Sequence, residues 1–200
     1  MGIVTCQLSV SIDGYLAGPD QSLENPIGVG GMRLHEWHVA PSGPDVEIVE
    51  QMLANDGAYI QGRKMFGGGS GEWDLGWTGW WGDDPPYHAP VFVLTHHKRE
   101  QLPMQGGTTF HFVTDGIEVA LARARAVAGE KNIAIAGGAS TVQQYLAAGL
   151  VDELHLHIAP VILGAGERLL DHIGQPELEI VEVVDSPAVT HVKYRVVRAS

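Results

Sequence analysis

Cysteine is almost missing from these 200 residues: Cys6 is the only one, so no internal disulfide can form. It shares a face of the first alternating segment with Val4, Leu8 and Val10 and reads as a buried, inert thiol. Basic residues are scarce as well. Twelve Lys and Arg stand against 24 Asp and Glu, for a formal net charge of −12, which excludes general affinity for nucleic acid or an anionic membrane surface. No apolar run is long enough to cross a bilayer and no basic-then-apolar leader opens the chain, so a cytoplasmic location is expected. Of the ten histidines, His35 and His38 are three apart and His155 and His157 share a strand face. No Cys pair or H-E-x-x-H accompanies them, and no metal is expected.

What is present suits one globular domain over residues 1–200: 44% of residues are hydrophobic and 18% charged, enough to bury a substantial core. Apolar alternation predicts strands over 3–11, 58–61, 90–95 and 108–114, a long strand over 153–163, and a closing antiparallel pair over 178–184 and 189–197 around Ser186-Pro187. Helical spacing appears over 45–55 (Val46, Val49, Met52, Leu53) and in the Ala-rich 117–128. Strands alternating with helices predict an α/β fold, a three-layer sandwich whose central sheet is mostly parallel with an antiparallel C-terminal edge. Residues 67–87 have no period; they hold Trp73, Trp77, Trp80 and Trp81 among glycines and acids. These indoles suit a lid or wall over a flat ligand, or equally a plug at the end of the sheet or a dimer contact.

The densest signal is the run from Asn132 to Leu154. A short apolar strand (Ile133, Ala134, Ile135, Ala136) leads into Gly137 and Gly138, then a helix opening at Ala139, Ser140 and Thr141. Glycine lets backbone approach a ligand, and a helix N-terminus stabilises an anion. Glycine used only for the shape of a turn gives the same pattern. A second junction of this kind, Ala58 to Phe66, places Gly62 before Arg63, Lys64 and Met65, and two such junctions suit the two ends of a dinucleotide diphosphate. There is no G-x-G-x-x-G after the first strand, and the G-x-x-x-x-G from Gly62 to Gly67 is followed by Gly68 where a P-loop requires lysine.

Five segments in order, Ser11 to Ala17, Gly62 to Met65, Val93 to His96, Gly137-Gly138 with its helix, and Gly149 to Leu154 running into Pro160 to Gly164, resemble the dihydrofolate reductase-like family. Within it they are most similar to the reductase domain of bacterial riboflavin biosynthesis and its stand-alone relatives. The resemblance covers nearly the whole chain and implies an NADPH-dependent reductase acting on a small planar heterocycle or carbonyl compound. It implies a cofactor site built from Ile12, Leu16, Ala17, Gly62, Arg63, Lys64, Met65, Thr95, His96, Gly137, Gly138, Ala139, Ser140 and Thr141. The deaminase signatures H-x-E and P-C-x-x-C do not occur in the chain.

Three acids are candidates for the catalytic role, Asp13 after the first strand and Asp45 and Glu47 at the start of the first helix, Asp13 and Asp45 being preferred; turn and cap functions suit the same positions. Arg63, Lys64, His96, His97, Lys98 and Arg99 form the dense basic set, either solvated or recognising the 2′-phosphate of NADPH, with Arg63 pairing bidentately. A homodimer is expected, formed through the His155, His157 and Ala159 face of the strand over 153–163. A non-catalytic nucleotide-binding or assembly protein that keeps the fold is the competing reading.

Overall fold

The computed structural model describes residues 2–69 and 71–197. Its strands are β1 (Val4–Ser11), β2 (Tyr15–Ala17), β3 (Asp56–Gly62), β4 (Pro90–Leu94), β5 (Leu102–Pro103), β6 (Thr109–Val113), β7 (Asn132–Gly137), β8 (Glu153–Ala159), β9 (Glu167–Arg168), β10 (Glu177–Asp185) and β11 (Thr190–Val197). The helices are α1 (Glu36–Val39), α2 (Asp45–Ala54), α3 (Arg63–Phe66), α4 (Ile117–Ala128) and α5 (Ala139–Ala147). Among the described residues one sheet runs β10-β11-β8-β1-β7-β3-β4-β6-β5, and β2 pairs with β9 in a separate ribbon. The strands from β8 to β6 are parallel and β10 and β11 pair antiparallel, as the sequence pattern predicts, while β5 adds an unexpected antiparallel strand at the other edge.

The two faces of the sheet are covered by different chemistry. On one face Val4, Cys6, Leu8, Ile60, Ile133, Ile135 and Leu154 meet Leu121 and Ala124 of α4 and Val142 and Tyr145 of α5. Ala120, Ala124 and Ala128 recur every fourth residue, a small-residue stripe that lets α4 lie close to the sheet. Cys6 is fully buried here, which pushes its thiol far above the ordinary range. On the other face Tyr59, Val91, Val93, Phe110 and Ala134 are covered by Phe66, Tyr87, Trp73 and Trp77. Two of the four indoles of the aperiodic segment are therefore packing, with Trp73 Nε1 donating to His97 O at 2.8 Å and Trp77 Nε1 to Phe66 O at 3.0 Å. Trp80 and Trp81 are exposed.

Farther along that second face, over β1, β8 and β11, the cover is α1. Trp37 is buried, donates Nε1 to Ser9 Oγ at 3.0 Å, and lies with its ring 4.6 Å from His157 and 4.9 Å from His191. α2 adds little, since Asp45 is its only buried residue.

The expected strand over 153–163 ends at Ala159. Pro160 has no N–H for the ladder, and the chain turns so that Val161 donates to Ala159 O and accepts from Ile12 N at 2.9 Å. The predicted alternation in β8 holds, but its histidine face is not open to a symmetry mate. His157 is 3% exposed beneath Trp37, and His155 is half-buried with Nε2 2.9 Å from Glu153 Oε2.

Burial lowers His35 from 6.5 to about 4, and burial with the neighbouring imidazoles lowers His157 to about 3. The unfolded chain therefore takes up these protons first. The stability they support is complete above pH 6.5 and is lost as pH falls toward 4. Asp56, raised by burial to about 6, acts with the opposite sign, so the informative quantity is a difference between proteins. The melting temperature of a His157→Phe variant is expected to fall less steeply with acidification than that of the parent; equal slopes would show that His157 is not held neutral.

Candidate functional site

The parallel order places β7 between β1 and β3, so the loops leaving the carboxyl ends of these three strands are neighbours, the position at which open α/β sheets bind ligands. The two glycine junctions touch. A Cβ added to Gly62 would lie 2.5 Å from Thr141 Oγ1, and one added to Gly137 would lie 3.2 Å from Met65 Sδ. Gly137 also has φ of 128°, which side-chain-bearing residues rarely adopt, and its peptide bond to Gly138 is cis. Gly138 differs from both: it is extended, and nothing lies within 4 Å of the space a Cβ would fill. Beyond it α5 opens without a side-chain cap, so the N–H groups of Ala139 and Ser140 stand at an uncapped N-terminus, while those of Thr141 and Val142 bond back to Gly138 O.

Around this junction the remaining expected residues divide. Thr95 is buried at the end of β4 and accepts the His97 N–H at 3.1 Å, and His96 beside it is exposed. Lys64 crosses to Glu167 of β9 at 3.0 Å. Ile12 is exposed at the end of β1, whereas Ala17 is buried and Leu16 packs on the first core, so only the first of the three presents its side chain outward.

The expectation for Arg63 changes. Its Nε donates to Gly69 O at 3.0 Å and an Nη to Glu72 O at 3.3 Å, and its guanidinium stacks 3.7 Å from the Trp73 ring. Arg99 donates to Trp77 O at 2.7 Å. Both arginines hold the tryptophan-rich segment against the sheet, because a planar five-donor group suits carbonyl-rich loops and indole faces as well as phosphate. His96 and Lys98 are the exposed members of the basic set that make no hydrogen bond or ion pair among the described residues.

Asp13 and Asp45 do not converge. Asp13 Oδ1 accepts from Leu163 N at 3.1 Å and Oδ2 from Gly164 N at 2.7 Å, clamping the loop after β8 to the loop after β1. The Ser11 hydroxyl and these backbone N–H groups hold its carboxyl down at about 2, which suits an ionised anchor and not a proton donor. Asp45 lies apart from the glycine junctions, 1% exposed, with His191 Nε2 3.0 Å from Oδ1 and Ser186 Oγ 3.1 Å from Oδ2.

Reading the sequence missed a cavity of about 480 Å³ lined by Tyr15, Gln143, Gly164, Glu167, Arg168 and His172, between the β2–β9 ribbon and α5. Gln143 Nε2 donates to Arg168 O at 2.8 Å, and Arg168 contacts the Tyr15 ring and Asp171. The available signal was Gln143, five residues beyond Gly138 on the helix already singled out. Among the described residues no group of three or more His, Cys, Asp or Glu is placed to hold a metal ion, and no helix is long and apolar enough to cross a membrane.

This sheet order and placement of glycines define a dihydrofolate reductase-like, reductase-type fold. Among solved structures the chain is similar to a putative riboflavin biosynthesis protein from Shewanella sp. (TM-score 0.66, 21% identity, 98% of this chain and 99% of that one). It is also similar to dihydrofolate reductase from Enterococcus faecalis complexed with NADP(H) (TM-score 0.60, 15% identity, 98% and 96%). A third similar structure is the deaminase/reductase of Thermotoga maritima (TM-score 0.59, 14% identity, 98% of this chain but 57% of that one). An uncharacterized Bacillus subtilis protein, YyaP, is 25% identical over 182 residues, 86% of this chain and 82% of that protein. The model of the RibD C-terminal domain matches residues 3–192, and the chain belongs to that family.

The abutting junctions can be checked without any ligand. Gly62→Ala is expected to destabilise the protein by about 1–3 kcal/mol through overpacking against Thr141. Adding Thr141→Ala should recover most of the loss, because it removes the clashing hydroxyl. Denaturant melts of the two single variants and the double give the coupling; additive losses would show that the junctions do not touch.

Proposed function

We propose that this chain is an NADPH-dependent reductase that transfers hydride to a small planar heterocyclic or carbonyl substrate, as in the riboflavin-pathway reductases. The observation that carries the reading is the open space over Gly138, flanked by Gly62 and the uncapped start of α5. A diphosphate laid over Gly138 would meet no side chain there and would lie before the N–H groups of Ala139 and Ser140. Gly62 to Met65, Thr95, His96 and Gly137 to Thr141 would hold NADPH, and Ile12 would flank its nicotinamide end. The cofactor supplies the hydride; the chain supplies placement and exclusion of water. Lys98 and His96 take the 2′-phosphate role, since Arg63 is committed to the tryptophan segment.

Titration with each cofactor tests this directly. NADPH should bind more tightly than NADH, and Lys98→Ala should narrow the gap by roughly 1.5–3 kcal/mol, the range for a charge-assisted hydrogen bond. Gly138→Val should remain folded and lose NADPH. Equal affinity for the two cofactors, or unchanged NADPH affinity in folded Gly138→Val, would refute the assignment. Decay of NADPH absorbance with pteridines, aminopyrimidines or quinones then distinguishes an enzyme from a nucleotide-binding protein that keeps only the fold.

We further propose that the protein pairs as a homodimer, through β10 rather than β8. Among the described residues β10 is one of the two edges of the sheet, and Ile180 (67% exposed), Val181 and Val183 expose apolar side chains between its acids. Light scattering at micromolar concentration should find a dimer, and Ile180→Lys a monomer. A monomeric parent protein would end the idea.

A further inference from the structure

Lys64 and Glu167 are 103 residues apart in the chain, yet their charged ends meet at 3.0 Å and join α3 to β9. Both ends are placed by contacts to α5. On one flank the α3 junction abuts the helix: a Cβ on Gly62 would lie 2.5 Å from Thr141 Oγ1 and 3.7 Å from Gly138 N. Met65, the residue after Lys64, lies against Gly137. On the other flank Gln143 Nε2 donates at 2.8 Å to the carbonyl of Arg168, the neighbour of Glu167. Thr141 and Gln143 are two residues apart, so they point about 200° apart around the helix axis. α3 and β9 therefore stand on opposite sides of the first turns of α5. The sheet side of α5 is filled by Val142, Tyr145 and Leu146, all buried. A side-chain link between the flanks is left with the solvent side of the helix and its N-terminal end, next to the open space over Gly138.

An ammonium beside this junction is the donor that a bound diphosphate would use, and a carboxylate already holds it. Glu167 also lines the cavity between the β2–β9 ribbon and α5, so it faces ligand space on that side as well. A carboxylate only accepts hydrogen bonds and offers an arriving phosphate nothing in return. It competes for Lys64 and repels the incoming charge, and both effects oppose binding. The side chains are 76% and 37% exposed, so water screens the pair and the opposition is a small factor rather than a block. Lys64 carries its charge on a flexible four-carbon stem, which lets the ammonium pass from one acceptor to another without movement of α3.

We propose that Glu167 is a built-in competitor for the cofactor: its carboxylate holds Lys64 while the glycine junctions are empty, yields the ammonium to the diphosphate on binding, and hastens release by taking it back. This rests on the NADPH reading and adds to it a residue outside the junctions that sets how long the cofactor stays. Release of a bound molecule limits turnover in many enzymes, so a carboxylate that weakens the bound state has a use. The contact is made at the diphosphate and is indifferent to the 2′-phosphate, unlike those assigned to His96 and Lys98.

Stopped-flow binding of NADPH and of NADH to the whole protein tests this. Glu167→Gln should bind both cofactors about threefold more tightly, within the range that exposed ion pairs span. The factor should be the same for the two and lie chiefly in slower dissociation. Lys64→Ala should weaken both cofactors, and in that background Glu167→Gln should gain little, because no ammonium remains to compete for. Glu167→Ala should match Glu167→Gln and serves if either fails to fold. Unchanged or weaker binding in Glu167→Gln would overturn the proposal, as would a gain confined to NADPH or one that persists in full without Lys64. So would a gain lying wholly in the association rate, the mark of long-range charge alone. The two readings stay separable: a parent protein that binds NADPH, with Glu167→Gln no tighter, removes only this inference, whereas a parent that binds neither cofactor removes both.

Discussion

The contact between Gly62 and Thr141 constrains the architecture more than any other. Two parallel strands, β3 and β7, end side by side, and each must turn into a helix without the turns colliding. That is possible only where one turn has no Cβ and the other admits positive φ. Once both conditions are met, the backbones close up and one position, Gly138, is left facing open space. Open space and close packing are then two results of the same requirement.

The second face of the sheet shows how a largely acidic chain covers β-structure without helices of ordinary length. Over β3, β4 and β6 the cover is aromatic and is fastened by two arginines that donate to loop carbonyls. Over β1, β8 and β11 it is a single indole among imidazoles. Arginine remains charged in its role, whereas burial holds His35 and His157 below the ordinary histidine range, so the two halves of this face respond differently to acid. Asp13 and Lys64 join the halves at the carboxyl ends of the strands, one through backbone N–H groups of the loop after β8, the other through Glu167 of β9.

The sheet was legible in the sequence because period-2 alternation and glycine punctuation are local signals. β1, β4, β6, β7 and α4 lie within a residue or two of where patterning puts them. β8 ends early because Pro160, readable as a chain terminator, was outweighed by the apolar residues after it. Side-chain destinations were much less legible. Arg63 follows a glycine turn and has the chemistry for phosphate, but its neighbours in space are Gly69, Glu72 and Trp73, brought back by a segment with no period to announce its path. Asp45 and His191 are 146 residues apart and His157 and His191 are 34 apart. No spacing rule links them; only the antiparallel return of β11 along β8 does.

α2 is held differently from every other long helix in the molecule. α4 and α5 are each fixed by four or more buried side chains, but α2 contributes only Asp45. Its attachment to the rest of the protein is therefore concentrated at its first residue, in contacts to His191 and Ser186. A helix fastened at one end behaves as a separable cooperative unit. Its amide hydrogens should exchange through local detachment, at a free energy set by one hydrogen-bonded carboxylate and well below that for opening the sheet.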